Sequence, residues 1–416
     1  MSASRSRHTS ARAQSPGAPR VHPDRLIWLL LALTLAVWLV ETGGALWRTS
    51  HWNHYVYLAD AFLHGQLFCF HHPADAGDMA IVGNRAYIVF GPFPALLLMP
   101  LVPFFGPRTP DVLVLVLTAL FGIFAFDRFL AALPDPPDRF RRSMATLTFA
   151  LGTALHYGAP MANVWLHAQI TATALQCWAL WMAARGRGWW SGVALGLTVL
   201  ARPTVTLAAP AALWLLTRRP QGEDEPARAR PGWLGAGLAL GVPVAAAVVL
   251  HGLYNLARFG SPTDAGYHYI LMGDEFQALV ERYGRFNLHF LPQNLGGWLF
   301  ALPRVMNGEL VPDGHGMSLV LTTPFLLLLC WRRKLSALEW VLLGTSLVIA
   351  LPSLLYYNDG WVQFGQRFAL DWIALALAAC ALAARRAPAW LVAVLAAVGL
   401  AVNTWGTLWF QTNQLH

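Results

Sequence analysis

From Leu26 onward the chain alternates apolar runs with short arginine-bearing loops, and no soluble fold can bury that pattern. The runs fall near 26–46, 88–106, 110–132, 143–162, 165–184, 189–201, 203–217, 232–254, 316–331, 336–356, 367–384 and 388–411. A segment of about 20 apolar residues spans the bilayer's hydrocarbon core, so the chain reads as a polytopic membrane protein. Its charge content agrees: 12% of 416 residues are Asp, Glu, Lys or Arg, against about 25% in soluble domains. The net charge of +8 is nearly all arginine, with Lys334 the only lysine. Those arginines cluster in loops between apolar runs, where they set topology at the cytoplasmic face rather than bind nucleic acid. Cys69, Cys177, Cys330 and Cys380 form no CxxC pair, so neither a zinc site nor a disulfide framework is indicated.

Residues 1–25 are rich in Ser, Ala, Pro and Arg without apolar periodicity, which predicts a disordered cytoplasmic tail. Residues 26–411 then form one transmembrane domain. The arginines before Leu26 hold the amino terminus inside, and the run to Leu46 is too long for a removable signal peptide. Parity decides the next step. If 88–106 crosses, Asp135 to Arg142 and the arginine-rich loop 218–230 fall outside; if it only dips into the outer leaflet, both fall inside. Pro92, Pro94, Pro100 and Pro103 also suit a broken interfacial segment, since each removes a backbone donor. The expected fold is therefore all-α, with about eleven transmembrane helices, interfacial or re-entrant helices in a first outer loop (48–109) and a second large outer loop (255–315). The carboxyl terminus falls outside.

Polar chemistry concentrates on the outer side: Asp60, Asp75, Asp78, Arg202, Arg258, Asp359, Gln363, Gln366 and Arg367. Arg202-Pro203 interrupts an apolar stretch too long for one span. A charge at membrane depth is a functional candidate, the alternative being a snorkelling arginine at a helix end. No glycine-rich phosphate loop, Walker motif, repeat period or inverted pair of broken helices is visible. The arrangement suits a donor already delivered to the outer face on a lipid.

The order of features resembles the GT-C class of polyprenyl-phosphate-sugar-dependent glycosyltransferases, which includes protein O-mannosyltransferases and the lipid A aminoarabinose transferase. The pieces that carry the resemblance are Tyr55-Val-Tyr-Leu-Ala-Asp-Ala-Phe-Leu-His-Gly65 after the first span, Tyr87-Ile-Val-Phe-Gly-Pro-Phe-Pro94, and the glycine-rich Gly192-Val-Ala-Leu-Gly-Leu-Thr-Val-Leu-Ala-Arg-Pro203. The resemblance spans most of 26–384. It implies an inverting glycosyltransferase of a cell envelope, integral to a bacterial plasma membrane, with its active site outside. Its partners would be a polyprenyl-phosphate-linked sugar, a glycan, lipid or protein acceptor, and the bilayer itself. One departure stands out: those relatives carry an Asp shortly before the tyrosine, where this chain has Ser50-His-Trp-Asn-His54. The acid must then be another aspartate. A transporter or flippase for a lipid-linked substrate, or an inactive scaffold relative, are the alternative readings.

Displacement at an anomeric carbon needs a carboxylate to take the acceptor hydroxyl's proton. Asp78, which precedes the re-entrant segment, is the first candidate and Asp60 the second; either reads otherwise as a solvated loop acid, and Asp60 also as a bridge within its helix. The departing phosphate needs forked cationic donors, for which Arg202 and Arg367 are the candidates. Arg367 reads alternatively as an ion-pair partner of Asp371 four residues on. Gln363, Tyr357, Arg258 and His167 complete the expected binding set, with Tyr356, Trp361 and Phe364 packing on the sugar or first isoprene units. His51, His54, His64, His71 and His72 invite a divalent cation, but a helical i, i+4 pair with a carboxylate is missing. No metal or cofactor is assigned.

Overall fold

The structure is a computed structural model that describes residues 25–72, 77–218, 232–270, 272–331, 334–360 and 362–414. The expected tail (1–25, except Arg25), Asp75, Trp361 and nearly all of the loop 218–230 lie outside the described residues.

The chain is mostly helical. Helix α1 (Arg25–Glu41) is followed by α2 (His54–Leu63), the hairpin β1 (Met79–Val82) and β2 (Arg85–Ile88), and the short α3 (Phe93–Leu98) and α4 (Val102–Phe105). Next come α5 (Asp111–Ala131), α6 (Arg139–Leu151), α7 (Leu155–Met161), α8 (Val164–Ala184), α9 (Gly188–Ala201), α10 (Ala209–Arg218) and α11 (Trp233–Phe259). The second loop carries α12 (Asp274–Tyr283), α13 (Leu291–Phe300), the hairpin β3 (Arg304–Met306) and β4 (Glu309–Val311), and β5 (His315–Met317). Helices α14 (Leu319–Thr322) and α15 (Ala337–Leu354), strand β6 (Gln363–Gly365), α16 (Ile373–Ala383) and α17 (Ala389–Gln414) complete the chain. The all-α expectation is corrected here. Among the described residues three two-stranded ribbons occur, β1–β2 and β3–β4 antiparallel and β5–β6 parallel. Each pairs chain on the loops, where local alternation over three or four residues is too brief to read from sequence.

Among the described residues four helices are long and apolar enough to cross a membrane: Asp111–Ala131, Trp233–Phe259, Ala337–Leu354 and Ala389–Asn413. Helix α11 shows why such segments need lipid. Its mean hydropathy is 2.1, yet only 17% of its most apolar window is buried, leaving Val242, Val249, Leu250 and Leu253 on the surface. By contrast α16 is entirely buried and built from Ile, Leu, Ala and Cys, whose small members let neighbouring backbones approach.

The segment 88–106 contains no spanning helix. It folds as α3 and α4, six and four residues long, with Pro94 and Pro103 in their first turns. Its flanks return to one level: Ser50 donates from N and Oγ to the Asp111 carboxylate at 2.7 and 2.6 Å, and Thr49 Oγ1 donates to the Thr109 carbonyl at 3.1 Å. The opposite end gathers arginines. Arg128 and Arg142 both pair with Asp127, Arg141 donates to the carbonyls of Ala384 and Ala387, and Arg385 pairs with Asp135.

The glycine-rich helix α9 positions the site through its contact with α11. A Cβ on Gly192 would lie 2.4 Å from the Ala239 carbonyl oxygen, and one on Gly196 2.8 Å from that of Pro243. Side chains here would force two backbones apart, and α9 ends at Arg202. Gly192→Val should lower stability by about 1–3 kcal/mol, the usual cost of overpacking, read as thermal melting in detergent; a wild-type melting curve would show that the helices need no such approach.

Candidate functional site

The site forms where the ends of α9 and α8, the 3-10 turn Arg367–Asp371, the start of β1 and the Tyr267 turn meet. Helix α9 stops at Arg202 because Pro203 cannot continue it; Arg202 takes extended angles, φ −154° and ψ 96°. Its Nε donates to both carboxylate oxygens of Asp371, at 2.6 and 2.7 Å, and Thr204 Oγ1 adds a bond at 3.3 Å. Asp371 is wholly buried. From α8, Thr173 and Gln176 fix the turn by donating to the carbonyls of Leu370 and Asp371, each at 2.8 Å.

Arg367 opens that turn. Its backbone N–H donates to Gln363 Oε1 at 2.9 Å and its Nε to the Gly360 carbonyl at 3.2 Å. Its Cζ lies 5.2 Å from the Trp165 ring centroid and 5.0 Å from that of Phe368, and the Cζ of Arg202 lies 5.4 Å from the same Phe368 ring. All three are within cation–π range. The two guanidiniums therefore share one aromatic ring and repel each other. Among the described residues no hydrogen-bond acceptor meets the Nη atoms of either arginine.

Asp78 stands on the other side of Trp165, whose indole N–H donates to its Oδ2 at 3.1 Å. Its backbone is left-handed, φ 61°, a region Asp and Asn tolerate better than other non-glycine residues. The hairpin it begins holds it there, Met79 pairing with Ile88. Tyr267 faces both charges. Burial raises its phenol, with Arg202 acting against that shift and Asp78 with it. Tyr356 is raised well above its ordinary value by burial and by its phenol neighbours Tyr357 and Tyr267. Both stay protonated and can donate.

The remaining expected residues have other engagements. Asp60 sits on α2 with its side chain 34% exposed, 3.6 Å from His64 Nδ1, which is the within-helix bridge. Arg258 donates to the Ile88 carbonyl at 2.6 Å and to Asn255 Oδ1 at 2.7 Å, and its Cζ lies 3.8 Å from the Tyr254 ring centroid; it ties the end of α11 to β2. Gln363 donates to the carbonyls of His315 and Asp359, and so supports the loop that presents Arg367. Tyr357 donates to Met272 Sδ at 3.4 Å, with Arg285 near its ring. His167 donates through Nε2 to the Asp111 carbonyl at 3.1 Å. The alternative reading of Arg367, an ion pair with Asp371, gives way to the Arg202–Asp371 pair. A 3-10 turn does not stack positions four apart as an α-helix does.

Sequence reasoning did not find Asp371 as the partner of Arg202, Trp165 as the bridge between Asp78 and Arg367, or Tyr267. The signal for Asp371 was present: it is the one acid in the run 367–384. Among the described residues no three His, Cys, Asp or Glu side chains gather as a metal-binding group. Beside Pro203 a cavity of about 530 Å³ opens between α9 and α11, lined by Val199, Val248, Val249, Leu253 and Leu256.

No protein-family model and no curated protein matches this chain. Its structure is similar to that of the Archaeoglobus fulgidus oligosaccharyltransferase in the apo form (TM-score 0.48, 12% identity, 92% of this chain and 56% of that one). It is also similar to the same organism's AglB in complex with an inhibitory peptide and a dolichol-phosphate (TM-score 0.47, 13% identity, 92% and 56%). A third is ArnT from Cupriavidus metallidurans bound to undecaprenyl phosphate (TM-score 0.48, 13% identity, 92% and 76%). The chain spans about half the length of the archaeal proteins.

Proposed function

We propose that this protein is an inverting glycosyltransferase that moves a sugar from a polyprenyl-phosphate donor to an acceptor hydroxyl at the extracytoplasmic face. The observation that carries the reading is the pair Arg202 and Arg367. Both guanidiniums lie against the Phe368 ring, and Trp165, beside Arg367, donates to the Asp78 carboxylate. Forked cationic donors suit a phosphate, and a carboxylate suits the acceptor's proton. The apolar cavity beside Pro203 offers the donor's isoprene units a place next to that phosphate. In the proposed step Asp78 accepts the hydroxyl proton as the acceptor oxygen bonds to the anomeric carbon. The bond from that carbon to the phosphate oxygen breaks, and the phosphate leaves with its electron pair. Arg202 and Arg367 stabilise its growing charge, so they favour the transition state over the ground state.

The reading includes eleven crossings, with the amino terminus inside and the site outside. Two further features support it: the flanks of 88–106 return to one level, and the arginines of 128–142 gather with Arg385 at the other. Exposed positions test it in a chain whose exposed Cys330 is replaced by serine. Arg108→Cys should react with an impermeant maleimide in right-side-out vesicles and Pro136→Cys only in inverted ones; the opposite pattern removes the eleven-span arrangement. The transfer itself is tested by mass spectrometry of cell-envelope glycans with and without the protein. Loss of one sugar mass from a defined species is expected, and identical profiles with accumulation of no donor would end the assignment.

A further inference from the structure

A second cavity lies between α10 and α15, away from Arg202. It measures about 420 Å³, within the ~300–1,000 Å³ of ordinary ligand pockets. Helix α10 leaves the Arg202–Pro203 break and runs to Arg218. Trp214, one turn before that end, lines the cavity together with Trp233, the first residue of α11, and Trp340, near the start of α15. Pro210, Gly344 and Val348 line its deeper part. We infer that this cavity holds an acyl chain of an anionic phospholipid, whose head group meets Arg218 and Lys334. The inference is independent of the transfer reaction and rests on the chain spanning a membrane.

The lining decides the tail. It is built from Pro, Leu, Trp, Val and Gly with the single hydroxyl of Thr345, so a polar ligand would leave its hydrogen bonds behind. Trp233, Trp340 and Val348 are exposed, which opens the cavity sideways to hydrocarbon. Gly344 adds a separate observation: a Cβ there would meet nothing within 4 Å. Glycine in a spanning helix usually lets a neighbouring backbone approach, and an interior glycine weakens the helix relative to alanine. No backbone approaches here, so the space belongs to something other than protein. The rim decides the head. Tryptophans mark the level where the hydrocarbon ends. Arg218 lies four residues beyond Trp214, one turn further along the same face, and is exposed. Lys334 is exposed two residues before the Ser336 cap of α15. Basic pockets between spanning helices on the cytoplasmic side, where the proposed topology puts this end, select anionic head groups.

Native mass spectrometry of the purified full chain tests this, with dioleoyl-phosphatidylglycerol and dioleoyl-phosphatidylcholine as probes that share acyl chains and differ in charge. Wild type should bind phosphatidylglycerol roughly 10- to 30-fold more tightly than phosphatidylcholine, about fivefold for each basic residue. Gly344→Leu grows from a Cβ with open space around it, and should lose that bound lipid at an unchanged apo melting temperature. Arg218→Gln should keep the wild-type affinity for phosphatidylcholine and reduce the preference roughly fivefold. Equal lipid binding by wild type and Gly344→Leu would overturn the inference. Equal affinity of wild type for the two lipids would overturn it as well, leaving an ordinary boundary lipid. If Gly344→Leu melts below wild type, Val348→Trp blocks the same cavity from an exposed position, and the same two outcomes decide.

Discussion

Asp371→Ala should destabilise the protein by about 3–5 kcal/mol, the cost of breaking a buried ion pair and leaving one charge without its partner. Asp371 is wholly buried, and the Arg202 side chain opposite it is 22% exposed. The carboxylate is thus present only because Arg202 and Thr204 satisfy it. Removing it leaves Arg202 close to Arg367 without the carboxylate that offsets their repulsion, which should drive the end of α9 away from the turn 367–371. Melting in detergent reads the effect. Arg202→Ala should also destabilise, because a buried carboxylate then stands alone. Arg202→Ala with Asp371→Ala should recover part of the loss, since both charges are gone and the two sites touch. Arg367→Ala should fall outside this pattern, with a melting temperature closer to wild type. Were Arg367→Ala as destabilising as Asp371→Ala, and the double variant no better than the singles, Asp371 would belong to Arg367 and the pairing described here would be wrong.

How much of this could be read from the sequence follows the range of the interactions involved. That 88–106 does not form a spanning helix was legible, because four prolines act locally on their own backbone. That α9 ends at Arg202 was legible for the same reason. The nearness of Asp78 to the proline-broken segment 88–106 was legible from the chain order, but its φ of 61° depends on the β1–β2 hairpin, whose four-residue strands carry too little alternation to announce themselves. What decides the site is long-range. Arg202 and Asp371 are 169 residues apart, and Trp165 reaches Asp78 across 87. One sequence without relatives carries no trace of such pairs. Arg258 shows the same limit from the other side. A buried arginine in an outer loop looks like a ligand group, whereas here a backbone carbonyl and Asn255 take up its fork at a helix end. Arg202 and Arg367 differ from it in having Nη atoms without acceptors among the described residues, a distinction that exists in three dimensions alone.

Asp78→Asn should reduce turnover roughly 10²- to 10⁴-fold, the range for losing a positioned general base, while leaving folding and donor binding close to wild type. The geometry makes asparagine a clean probe at this position. Its carbonyl oxygen can still accept from the Trp165 indole, now 3.1 Å from Oδ2, and asparagine tolerates the left-handed backbone at least as well as aspartate. The negative charge and the ability to take a proton are lost. Asp78→Ala is less informative, since it removes the Trp165 contact and places alanine at a φ it disfavours; any fall in its activity would mix chemistry with strain. Asp60→Asn provides the comparison on the same loop. Its carboxylate is one-third exposed and engaged with His64, so its activity should stay within about twofold of wild type, as for a surface pair worth under 1 kcal/mol. The decisive quantities are kcat and the affinity for the lipid phosphate, measured separately on each variant. A fall in kcat at constant affinity, in Asp78→Asn alone, assigns the proton transfer to Asp78. Full turnover by Asp78→Asn, with loss of turnover in Asp60→Asn, would move the base to α2 and require the acceptor to approach from the exposed side of that helix.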